Sequence, residues 1–231
     1  MTPLTPKVQD LIKQGLSAKV KGDFSAAKIH LQSARIEAQK TKDRWGEARV
    51  LLELAPVVTE FDKDLATGRK LLKDCLKIYT KLKSDQGRAY AMSNLGSLDM
   101  DEGNLDAALK WQTEALGLFE KVQDKYGCGM AVHQTGNIES EQGNFLSAEK
   151  HWRESLLLFE GLHRNYAAGQ ALLSLGKLRL EYYKDTQQAK LLFSRALTLF
   201  EEAGLTHEAE KARHNLALFE REEGETDDWQ I

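Results

Sequence analysis

The sequence predicts an all-α fold, an α-solenoid of stacked helix pairs, and three observations carry that prediction. Gly96, Gly136 and Gly176 recur every 40 residues in one frame: Met92-Ser-Asn-Leu-Gly-Ser-Leu98, Val132-His-Gln-Thr-Gly-Asn-Ile138 and Leu172-Leu-Ser-Leu-Gly-Lys-Leu178. Downstream of each stand an alanine (Ala108, Ala148, Ala189) and an apolar-aromatic end (Leu118-Phe119, Leu158-Phe159, Leu199-Phe200). The three prolines, Pro3, Pro6 and Pro56, leave the chain free of helix breakers after residue 56. Repetition at a period of about 20 to 50 residues marks an array whose units bury their apolar faces only against neighbours.

Each unit reads as two helical stretches around a short turn. In the first pair, about 5–42, the turn is Gly22-Asp23-Phe24; the later turns Gly103-Asn104-Leu105 and Gly143-Asn144-Phe145 repeat it. Glycine accepts the left-handed conformation that ends a helix, and Asp or Asn is expected to cap the next one. The second pair, 43–83, contains Pro56, expected to kink its first helix or free a carbonyl near Leu52. In the third pair, 84–123, Leu105, Ala108, Gln112, Ala115, Leu116 and Phe119 form a stripe at spacings of three and four. The fourth pair, 124–162, repeats the stripe with Phe145, Ala148, Trp152, Ser155, Leu156 and Phe159. The fifth, 163–204, has Tyr182-Tyr183-Lys184-Asp185 at the turn and one extra residue. A lone polar helix over 205–224 then caps the stack, and an acidic tail follows over 225–231. The even register predicts one domain over 1–231.

The frame of Leu-Gly, Gly-Asn-aromatic, Ala and a Leu-Phe end resembles the tetratricopeptide repeat, in its longer variety of about 40 residues. That variety is similar to Pins-type polarity scaffolds and to the sensor domains of bacterial signal-transducing ATPases and peptide receptors. The resemblance implies a right-handed superhelix whose first helices line a concave surface. Carried over by register, that surface takes Arg49 and Leu52 from the second pair and Tyr90, Ser93, Ser97, Met100 and Asp101 from the third. The fourth gives Met130, His133, Asn137, Ser140 and Glu141, and the fifth Gln170, Leu173, Lys177, Leu180 and Glu181. Met100, Met130 and Leu173 offer apolar contact, while His133, Asn137 and Lys177 can bond a peptide backbone or carboxylate. Ser93 and Ser97 stand where chaperone-binding relatives carry a carboxylate clamp, so such binding is not expected.

No chemistry is signalled. The six histidines are scattered, with no pair at i, i+4, so no metal site is expected. Cys75 falls at a small buried position, and Cys128 lacks a His-Cys-acid setting. No glycine-rich phosphate loop exists, and neither a catalytic residue nor a cofactor is expected. Two isolated cysteines, and a start without a secretory pattern, point to a reducing, cytoplasmic setting. Apolar runs are too short to insert in a membrane. The net charge of −3, without a basic stripe carrying aromatics, argues against nucleic acid. Charge is nevertheless lopsided: residues 1–83 hold 17 basic and 10 acidic side chains, residues 84–231 hold 15 and 25.

The expected function is therefore a non-catalytic protein-interaction module holding a peptide or helix of a partner. The alternatives are a self-assembling scaffold rod or a peptide-receptor regulator, the last needing a helical domain for which this chain has no room. Within the rod alternative, the acidic tail with Trp229 meets the basic first repeat of another copy; otherwise it solvates the end.

Overall fold

The computed structural model describes the backbone of residues 4–226 and the side chains of residues 4–217 and 219. Eleven helices and no strand are found among the described residues. They are α1 (Pro6–Val20), α2 (Phe24–Lys40), α3 (Arg44–Phe61), α4 (Leu65–Lys81), α5 (Asp85–Asp101), α6 (Leu105–Lys121), α7 (Lys125–Glu141), α8 (Phe145–Gly161), α9 (Asn165–Glu181), α10 (Thr186–Glu202) and α11 (Thr206–Thr226). The all-α repeat fold expected from the 40-residue register is the one observed. The last helix runs two residues past its expected end, and the tail from residue 227 lies outside the described residues.

Every junction between the described helices turns through one left-handed residue, and all but the α3–α4 and α9–α10 junctions close with the same backbone bond. Among the described residues ten have positive φ: Gly22, Lys42, Lys63, Lys83, Gly103, Gln123, Gly143, His163, Lys184 and Gly204, one per junction. Only four are glycine, so the left-handed turn was legible at those four and hidden at the rest. The turn closes on itself through the backbone: at the first junction Gly22 N donates to Lys19 O (3.0 Å) and Asp23 N to Ala18 O (3.0 Å). The residue after it caps the next helix, as Asp23 does by accepting from Ala26 N at 2.9 Å and Asp43 from Gly46 N at 2.7 Å. Asn104 and Asn144 depart from the expectation. Their side-chain amides turn outward, to Glu102 and Gln142, and make no cap bond. α3 continues through Pro56 as one helix to Phe61, and the proline, having no N–H, leaves the Leu52 carbonyl without its usual helical donor.

Contacts divide the chain into two compact units, Met1–Gly127 and Cys128–Ile231, with the division inside α7. In the first unit α3 touches both α1 and α5, while α2 and α4 each pack on their own partner and on the following first helix. Its core runs through Leu31, Leu51, Leu72 and Leu95, all fully buried, each worth about 1.5–3 kcal/mol. The second unit packs around Ile138, Phe159, Leu172, Phe193 and Phe200. The conserved spacing of the glycines has a steric cause. A Cβ on Gly96 would stand 2.7 Å from the Gln112 amide, and one on Gly136 2.8 Å from the Trp152 ring.

Candidate functional site

In the first unit the candidate surface is built on α3 and α5. Arg49 is exposed and bridges to Glu53 one turn on at 2.8 Å. Leu52 is only 6% exposed and belongs to the core, so it offers a partner little. Tyr90 is half-buried; its ring meets Phe119 edge-on at 4.8 Å and its hydroxyl donates to Asp124 at 2.9 Å. Burial, and then the Asp124 carboxylate, hold that phenol well above its ordinary pKa. Ser93 is 2% exposed and faces its own helix partner: its Oγ donates to Gln112 Oε1 (3.0 Å) and its carbonyl accepts from Gln112 Nε2 (2.9 Å). Ser97 and Met100 are half-buried at the rim, with Asp101 exposed beside them. Partial loss of hydration, and then the neighbouring Glu60 and Glu102 carboxylates, raise the Asp101 carboxyl.

In the second unit the surface is built on α7 and α9. Met130 is half-buried, while Glu141 and Lys177 are exposed. His133 lies between helices, its Nε2 3.4 Å from Ser174 Oγ and its ring 6.5 Å from Phe159. Burial pushes its imidazole down to about 4. Asn137 is engaged at both ends: Oδ1 accepts from Trp152 Nε1 at 2.8 Å and Nδ2 donates to Gln134 at 2.6 Å. Gln170 donates to Glu208 of α11 at 2.8 Å, and Leu173 is buried at 7% exposure. His133 and Asn137, which register places on the concave surface, both make contacts between helices.

The side chains open to a partner are thus Arg49, Ser97 and Met100 in one unit and Met130, Glu141 and Lys177 in the other. Leu52, Ser93 and Leu173 are core positions, because the first helices are buried over a wider arc than the second and little of their surface stays free.

Sequence reasoning missed the polar clusters that join successive pairs. Arg69 of α4 bridges Asp99 of α5 (2.8 Å) and Glu102, the residue that ends α5 (2.9 Å), and Trp111 Nε1 donates to Asp99 at 2.8 Å. In the second unit Glu149 of α8 pairs with Arg179 of α9 and with Arg153 (2.8 Å), and accepts from the Tyr183 hydroxyl (2.8 Å). Glu139 accepts from Ser147 and meets His151 Nδ1 at 2.6 Å. No sequence signal separates these residues from ordinary surface charge. Cys75 is buried with its thiol on the Ala48 carbonyl at 3.3 Å, and burial raises it to about 12, which suits a structural thiol. Among the described residues no group of three or more His, Cys, Asp or Glu is placed to hold a metal.

Residues 88–122 match the family model described as tetratricopeptide repeat. A comparison with curated proteins gives no match. Among solved structures, a Rap protein complexed with competence and sporulation factor is 16% identical, with a TM-score of 0.71 over 97% of this chain and 78% of its own. A Rap conjugation gene regulator in complex with a Phr peptide is 13% identical, with a TM-score of 0.70 over 96% and 66%. A signal transduction ATPase with a tetratricopeptide repeat sensor, from Pyrococcus horikoshii, is 18% identical, with a TM-score of 0.65 over 90% of this chain and 32% of that one. The chain is similar to tetratricopeptide-type repeat proteins and shares their helical-repeat fold. At such identities the likeness is one of fold.

Proposed function

We propose that this chain is a non-catalytic protein-interaction module that holds a peptide or helix of a partner protein against its first helices. The observation that carries the reading is the mixture left open on the first helices of each unit, Met100 and Arg49 in one and Met130, Lys177 and Glu141 in the other, on helices otherwise committed to the core. Apolar anchors with charged neighbours suit a segment that buries side chains and is oriented by charge. The Rap proteins of like fold are solved with a bound factor or peptide, which supports the same use here. The 40-residue period continues from Gly96 to Gly136 and supports one array over residues 1–231. A cytoplasmic setting goes with this reading, on the two free cysteines.

The test starts from peptides selected on the intact protein from a random library. Met100→Glu and, separately, Lys177→Glu are expected to weaken at least one selected peptide about tenfold at an unchanged melting temperature. Selected peptides indifferent to both changes would place the site elsewhere.

The lopsided charge favours a second reading, in which the acidic segment from Glu222 onward, with Trp229, engages another copy. Deleting 225–231 would then leave a monomer, and salt would dissociate the full-length oligomer. A full-length chain that stays monomeric at high concentration and low salt rejects it.

A further inference from the structure

The second helix of the second pair has an outer face that no other second helix shares. Lys70, Lys73, Lys77 and Lys81 of α4 are all exposed, at spacings of three and four. On a helix they fall within an arc of about 80° and run about 16 Å along its axis. The opposite face is core, with Leu71, Leu72, Cys75 and Ile78 buried. Asp74 is the one carboxylate in α4 and is half-buried, so the outer face is net positive. Register sets the stripe apart. The same four positions are Lys110, Thr113, Gly117 and Lys121 in α6, and Leu191, Ser194, Thr198 and Glu202 in α10.

None of the four lysines of α4 makes an ion pair or side-chain hydrogen bond with any described residue. The arginines nearby are committed inside the fold, Arg69 to Asp99 and Glu102 and Arg88 to Asp85. That division decides which anion suits the face. A planar guanidinium reads one placed carboxylate or phosphate through paired hydrogen bonds, whereas lysines on flexible stems are point charges suited to a dense anionic plane. No aromatic ring lies on the stripe to stack a base. The neighbouring second helix supplies the apolar half of the chemistry. In register with Lys70 and Lys77, α2 carries Ile29 and Ile36, 60% and 67% exposed, and Lys40 stands in register with Lys81. Both helices pack on α3. Lysines beside exposed isoleucines match a lipid interface, where headgroup phosphates meet the charge and the acyl boundary accepts the apolar tips.

We propose that the outer face of α2 and α4 docks on anionic lipid headgroups at a membrane surface. The contact is peripheral: α4 keeps its apolar residues in the core, and no described helix is long and apolar enough to cross a membrane. The face belongs to second helices, so it rests neither on the peptide site of the first helices nor on the acidic tail.

Co-sedimentation of the full chain with vesicles tests it. Vesicles of phosphatidylcholine with phosphatidylserine should carry the protein down at low salt, and vesicles of phosphatidylcholine alone should not. Lys70→Glu combined with Lys77→Glu should weaken binding about tenfold or more. The melting temperature should not change, because neither lysine has a partner to lose. Lys13→Glu combined with Lys21→Glu alters net charge equally but on α1, and should weaken binding far less. Failure to bind the anionic vesicles overturns the proposal, as does an equal loss in the two double variants, which would report bulk charge alone. If duplex DNA or a peptide of residues 222–231 binds through Lys70 and Lys77 while vesicles do not, the face takes that polyanion and the lipid assignment is wrong.

Discussion

Glu149 of α8 holds Arg179 of α9 at the place in the repeat where Arg69 of α4 holds Asp99 of α5, with the two charges exchanged. Both pairs are largely shielded from water, and both gather an aromatic donor, Tyr183 in one and Trp111 in the other. A half-buried ion pair adds little when well satisfied but is costly to break, because the survivor stays desolvated. Glu149→Ala is therefore expected to cost about 1–3 kcal/mol, and a double-mutant cycle with Arg179→Ala should show coupling of about 1 kcal/mol. Denaturant titration checks both. Burial pushes the Glu149 carboxyl up, but hydrogen bonds from Tyr183 and Arg153 and the nearby guanidinium charges outweigh it and leave the pKa lowered. A depressed carboxylate stabilises the fold above its ordinary pKa and loses that contribution as pH falls below about 4.5. The alanine variant should lack this part of the acid sensitivity.

His133 should act in a higher window. Its imidazole drops from 6.5 to about 4 on folding, so between those values the unfolded chain binds the extra proton. Stability is complete above 6.5 and declines as pH falls toward 4, by on the order of 2–3 kcal/mol. His133→Gln should flatten melting temperature against pH between about 6.5 and 4; an unchanged slope would mean the ring is hydrated.

Gly136→Leu is expected to overpack α7 against α8 and cost about 1–3 kcal/mol, since even a Cβ would stand 2.8 Å from the Trp152 ring. Trp152 should lose its bond to Asn137 as it is displaced, visible as a shift in tryptophan emission along with the lower melting temperature.

Asn137→Ala removes the acceptor of the Trp152 indole and should cost about 1–2 kcal/mol. Calorimetry distinguishes this from a surface role, in which the melting temperature would not move.

Cys75 should resist thiol reagents in the native protein, because its thiol is buried and raised to about 12. Its labelling rate is expected to follow unfolding, and fast native labelling traced to Cys75 by mass spectrometry would contradict the packing.

The repeat was legible because it is written in residues that sterics force. Gly96, Gly136 and Gly176 admit no side chain beside Gln112, Trp152 and Phe193, so the period survives where everything else drifts. A second small-residue column, Gly87 and Gly127 against Tyr79 and Phe119, went unread, because each glycine lies close to a helix start and looks like part of a turn. The candidate surface was less legible than the fold. Register says which helix a residue belongs to and roughly which way it faces, and so found Arg49, Met100 and Lys177 open. It cannot say that Ser93 meets Gln112 or that Asn137 meets Trp152, since those pairings depend on how far one helix is turned against its neighbour.

The matching turns that follow α2 and α4 have a bearing on how such a chain could lengthen. Since each junction is closed by its own backbone bonds and tolerates lysine, glutamine or histidine at the left-handed position, a turn does not depend on the identity of its neighbours. A duplicate of residues 43–83 spliced after Lys83 would bring its own cap, Asp43, and begin and end on turns of the existing shape. It would bring Arg69 of the original copy against Asp62 of the inserted one, the same polarity that Lys28 and Asp62 already use. Growth by gene duplication at this point therefore keeps both the turn and an ion pair of the existing polarity at the new seam.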